Sequence, residues 1–188
     1  MSQQHSPSAR DDWRGILASI LFAKTAVAPF AIAPFLVGGY IDHLGLSPAQ
    51  ASQVLSAEIF ALAIANALAF FWISRAACRR WAQVLLVSLI ALNLSCIYAP
   101  GFEVLLLQRM LIGAAEGSLL ALGFGLLGNT ARPNRNFGLY FAVSLTIGAV
   151  NVRILPLFLE SAGVIGLFVN LSLYAVISLA GSCWAQRI

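Results

Sequence analysis

Apolar runs of about 20 residues recur along the whole length of this 188-residue chain, and each is long enough to cross a bilayer as a helix. Hydrocarbon offers no partner to backbone N–H and C=O groups, so a chain built of such runs must form helices or a closed barrel. Barrel strands alternate apolar and polar residues over segments of about ten, and no such segment occurs here. With 60% hydrophobic and 10% charged residues and a mean hydropathy of +0.88, the chain is far from soluble domains, which are about one-quarter charged. The sequence predicts an all-α membrane protein. Its six transmembrane helices fall over about 15–40, 48–74, 81–99, 103–130, 137–159 and 163–185. They form one bundle over 14–188, behind a disordered cytoplasmic tail over 1–13.

The loops set the orientation. Arg10, Arg14, Arg75, Arg79, Arg80, Arg132, Arg135 and Arg187 all fall on the side shared by the two termini, whereas the opposite loops carry only Asp42, Glu103 and Glu160. Both termini are therefore expected in the cytoplasm, with the chain in the inner or plasma membrane. The net charge of +4 is dispersed among short loops. That is a topology signal rather than a docking patch, and no nucleic-acid partner is expected. The polar start, with Asp11 and Asp12, is unlike the short basic start of a signal peptide, so the first apolar segment is expected to be retained. Pro29 and Pro34 interrupt the first helix. Ser47, Pro48 and Gln50 have the order of a capping box at the start of the second, and Pro133 separates the fourth from the fifth. Cys78 and Cys183 fall near one membrane face and Cys96 near the other, with no metal or redox spacing among them. No cofactor or metal is expected.

Five ionisable residues lie inside the spans: Lys24, Glu58, Arg109, Glu116 and Arg153. Charge in hydrocarbon is costly and is retained mainly where it faces protein or water. These residues occupy the first, second, fourth and fifth helices, which are therefore expected to face a polar interior, with the charge-free third and sixth as lipid-facing supports. Arg109 and Glu116 are two helical turns apart, on one face. Gly113 and Gly117 on the same helix form a small-xxx-small surface that admits a second backbone. At a rise of about 1.5 Å per residue, Glu58 and Glu116 fall within about 5 Å of the midplane, and Arg109 and Arg153 about 9–12 Å toward the outer face. At least one Glu–Arg pair involving Glu58 or Glu116 follows. A central carboxyl of this kind is also a candidate proton carrier.

The segment Arg109–Gly117, R-M-L-I-G-A-A-E-G, resembles the fourth-helix motif of the major facilitator superfamily at Arg109 and Gly113. The stretches LGLSPAQASQVLSA and ARPNRNFGLYFAVSLTIGA are also of that family's type. The basic loop after the second helix stands where the family carries a glycine- and aspartate-containing motif. Here Ser74 replaces the Asp, and Arg75, Arg79 and Arg80 keep only the charge. The fifth helix lacks the Gly-Pro pair of the antiporter motif, Gly148 and Pro156 being too far apart. The resemblance implies the N-terminal six-helix half of such a transporter, with a three-plus-three inverted repeat. It further implies a second six-helix half as partner, from a second copy or a separate chain.

The function expected is secondary active transport of a small organic, anionic solute by alternating access, as symporter or uniporter. Arg109, Glu116, Arg153, Glu58, Lys24 and Asn151 are the substrate-binding candidates, Glu116 and Glu58 carry the proton, and Arg75, Arg79 and Arg80 act in the conformational loop. The alternative is a non-transporting half-size bundle serving as a structural or regulatory partner, or a truncated fragment. An enzyme is not expected. No span contains His, Gly-x-Ser-x-Gly or paired Asp, and His5 and His43 fall in the tail and a loop.

Overall fold

The computed structural model describes residues 13–73 and 78–184, apart from the side chains of Phe70 and Trp184. Among them there is no strand. The helices are α1 (Trp13–Ala26), α2 (Ala28–Ala31), α3 (Ala33–Leu44), α4 (Pro48–Leu68), α5 (Cys78–Ser95), α6 (Phe102–Gly128), α7 (Pro133–Ala162) and α8 (Val164–Gly181), with short 3₁₀ turns at Ala69–Phe71, Cys96–Tyr98 and Ser182–Trp184. Five of them are long and apolar enough to cross a membrane: α4, α5 with its following turn, α6, α7 and α8.

The first expected span is instead three pieces of 14, 4 and 12 residues. None reaches the length of about 20 residues that a bilayer requires. The cause is visible in the sequence. Pro29 and Pro34 each start a new piece, and Val27 and Ile32 before them leave helical geometry at φ −101° and −114°. The start of α4 is the expected capping box. Gln50 N–H donates to Ser47 Oγ at 3.2 Å, and Ser47 N–H donates to Gln50 Oε1 at 3.0 Å. Pro133 opens α7, which continues through Pro156 to Ala162.

The most extensive helix pair is α4 on α6. A Cβ at Gly113 would collide with the Glu58 carbonyl, and one at Gly117 with the Leu62 carbonyl. The small-residue face of α6 thus meets the backbone of α4 with the two helices parallel, as two spans separated by one crossing must be. Neighbouring crossings run antiparallel. On α7 and α8, Asn151 pairs with Asn170, and on α5 and α8, Gln83 Nε2 donates to Ser182 Oγ at 3.2 Å. Between α1 and α8, Ser178 Oγ donates to the Leu21 carbonyl at 3.0 Å and shares a 2.6 Å bond with Thr25 Oγ1. The core gathers Phe22, Ile32, Leu36, Leu86, Leu119 and Phe168 from five helices and the break before α3.

One packing expectation differs. The charge-free sixth span, α8, is no outer support: 56% of its apolar window is buried, as for α6, against 22% for α4 and 17% for α7. Absence of charge lets α8 pack on α1, α3, α5 and α7, and hydrogen bonds to α1 and α7 hold it there. The faces left most open belong to α4, α7 and the charge-free α5, whose window is 28% buried.

Candidate functional site

Helix α6 presents Arg109, Gly113, Glu116 and Gly117 along its buried side. Because Gly113 and Gly117 let the backbone of α4 come close, Glu58 is delivered to Arg109 across the helix interface. Arg109 is 0% exposed and Glu58 1%. The pair is bidentate: Arg109 Nε donates to Glu58 Oε2 at 2.9 Å, and Nη2 donates to Oε1. The planar guanidinium fork matches the carboxylate, which gives this contact both energy and direction. The remaining nitrogen, Nη1, donates to Asn93 Oδ1 at 3.2 Å, while Asn93 Nδ2 donates to the Leu89 carbonyl at 2.9 Å. That second bond fixes which way the Asn93 amide points.

Glu116 is 3% exposed and takes no share of the guanidinium fork. Its carboxyl faces that of Glu58, and its Oε2 has no protein donor. The Tyr40 hydroxyl is buried without a partner close to the same cluster. A buried polar group without a partner is uncommon and carries a desolvation cost. The cluster thus holds one guanidinium, two carboxyls and a phenol, with hydrogen-bonding capacity left over on Glu116 and Tyr40. Chemically it can hold a proton between the carboxyls, and it can exchange one carboxyl for the other as the counter-ion of Arg109.

The other candidates lie apart from this cluster. Lys24 is buried in α1, with its ammonium 5.7 Å from the centre of the Tyr174 ring, beside an open groove between α1–α2 and α7. Asn151 is committed to its neighbour: its Nδ2 donates to Asn170 Oδ1 at 3.2 Å, and Asn170 Nδ2 donates back at 3.0 Å. Arg153 is exposed on α7 and forms no ion pair among the described residues. Arg79 and Arg80 are exposed in the first turn of α5, and Arg75 lies outside the described residues. Sequence reasoning missed Asn93 and Tyr40. The signal for Asn93 was its place as an amide in the middle of a charge-free span, where a polar group must find a partner. Among the described residues no group of three His, Cys, Asp or Glu is placed to hold a metal. No protein-family profile, curated protein or solved structure matches the chain.

Proposed function

We propose that this chain is a proton-coupled solute transporter of the major facilitator type, or one half of such a transporter, with the Glu58–Arg109–Glu116 cluster as its proton-carrying element. One observation carries this reading: a buried cluster with two carboxyls for a single guanidinium, at the interface of two membrane helices. One positive charge and two ionised carboxyls leave a net negative charge in an apolar interior, which is costly. A single proton on the carboxyl pair makes the cluster neutral. Loading and unloading that proton changes the charge that α4 and α6 must accommodate, which supplies the differential free energy a conformational switch needs.

In this reading Arg109 positions Glu58 rather than touching solute, since Glu58 and Asn93 already occupy its fork. The broken first segment counts as the sixth crossing, with both termini in the cytoplasm. A second six-helix bundle completes the transporter against the open sides of α4 and α7. The exposed Arg153 on α7 supports that arrangement, since an arginine within a span needs water, a lipid headgroup or a partner's anion.

The test is solute-driven proton movement in vesicles that enclose a pH-sensitive dye, with a panel of small organic acids added outside. The wild-type protein acidifies the interior with at least one of them. Glu116→Gln abolishes acidification while equilibrium exchange of the same solute continues. Acidification that persists unchanged in both Glu116→Gln and Glu58→Gln refutes the proposal. A protein that moves no solute even when paired with a second six-helix bundle is a structural or regulatory bundle.

A further inference from the structure

The groove between α1–α2 and α7 has a volume of about 770 Å³ and includes Phe30, Tyr140, Phe141, Ser144 and Gly148 in its walls. That size is typical of small-molecule sites. Among the described residues Lys24 is the one charged member of its lining. The lysine is 3% exposed, yet among the described residues no carboxylate pairs with it and no hydrogen bond holds its ammonium. Its compensation within the protein is the face of Tyr174, 5.7 Å from the ring centre. A ring quadrupole offsets only part of what a buried cation loses in leaving water. An anion is what the site lacks.

The surroundings leave room for one. Gly148 has no side chain, and a Cβ there would stand 3.7 Å from Lys24 Nζ. The glycine therefore opens α7 at the level of the ammonium. Ser144 and Tyr140, one and two turns back along α7, line the same wall. Beside Lys24, the chain breaks at Val27, and Val27 and Phe30 form part of the lining. Irregular backbone at membrane depth is tolerated where it borders a cavity rather than lipid. The rest of the wall is apolar and aromatic.

We infer that this groove binds an amphipathic anion, whose carboxylate or phosphate meets the Lys24 ammonium and whose apolar body lies against Phe30 and Phe141. The inference deepens the transport reading by naming the chemistry and seat of the ligand. Its test measures binding without transport, so the two can fail separately. A free organic acid and the headgroup of an anionic lipid share this chemistry.

Radiolabelled octanoate, with octanol as uncharged control, is titrated onto the full chain in phosphatidylcholine nanodiscs. Lipids bound in nanodiscs containing phosphatidylglycerol are read by native mass spectrometry. For a free acid, octanoate binding saturates near one per chain, is about tenfold weaker in Lys24→Met, as expected when one ionic contact is lost, and is retained in Lys24→Arg. For a lipid, phosphatidylglycerol remains bound to the wild type, blocks octanoate, and is lost in Lys24→Met. Gly148→Leu fills the groove beside the ammonium and leaves the lysine's charge in place. It must abolish the same binding, and it decides the matter if Lys24→Met loses its helical circular dichroism. Octanol binding as tightly as octanoate, or no anion whose binding depends on Lys24 and on the space at Gly148, overturns the inference.

Discussion

The charge cluster makes a quantitative demand on stability: one buried guanidinium needs one carboxylate, and two are present. In Glu58→Gln, Arg109 loses its bidentate partner but keeps Asn93, and Glu116 remains as an anion within electrostatic reach. The expected cost is about 1–3 kcal/mol, that of weakening a charged hydrogen bond without stranding the charge. In Glu116→Gln the bidentate pair is intact and the surplus carboxyl is gone, so the change is under about 1 kcal/mol. In the double variant Arg109, 0% exposed, has no anion left. Stranding one member of a buried pair costs about 3–5 kcal/mol. The double variant is therefore destabilised beyond the sum of the singles, by about 1–2 kcal/mol on the coupling scale of neighbouring groups. Converting Arg109→Met in the double background restores most of the loss, because no buried charge is then left without a counter-ion. The assay is reversible unfolding in mixed micelles with rising dodecyl sulfate, followed by circular dichroism at 222 nm, a wavelength that reports helix content. Additive effects of the two glutamine substitutions, or no rescue by Arg109→Met, would refute the idea that Glu58 and Glu116 serve one cation.

Other consequences are simpler. Gly113→Ala places a methyl group against the Glu58 carbonyl, and overpacking of this kind costs about 1–3 kcal/mol in the same unfolding assay. Asn151→Leu strands the Asn170 amide and costs about 1–3 kcal/mol, whereas replacing both with Leu is close to neutral; equal losses in the single and double variants would contradict this. Ser47→Ala removes one arm of the capping box and lowers stability by about 1 kcal/mol. For the proposed topology, a membrane-impermeant maleimide added to intact cells labels His43→Cys but not Arg132→Cys, each in a background without other cysteines. Labelling in the reverse sense would invert the orientation.

Much of this molecule is determined by order along the chain alone. Apolar length dictates helices, because only they satisfy their own backbone in hydrocarbon. Proline positions dictate the break after Ala26 and the start of α7, and the Ser47–Gln50 spacing dictates the cap of α4. The 3.6-residue period puts Arg109, Gly113 and Glu116 on one side of α6, and the cost of charge in lipid turns that side inward. Sequence cannot select the partner. Arg109 passes over Glu116, seven residues away on its own helix, for Glu58, 51 residues away on another. It does so because glycines on α6 fit the backbone of α4, and helix periodicity contains no information about which faces will dock. The same tertiary choice commits Asn151 to Asn170, leaves Arg153 outside, gives α8 an interior place and leaves Lys24 facing open space. Local geometry assigns each side chain its depth and its face; only contact between distant segments decides what that face meets.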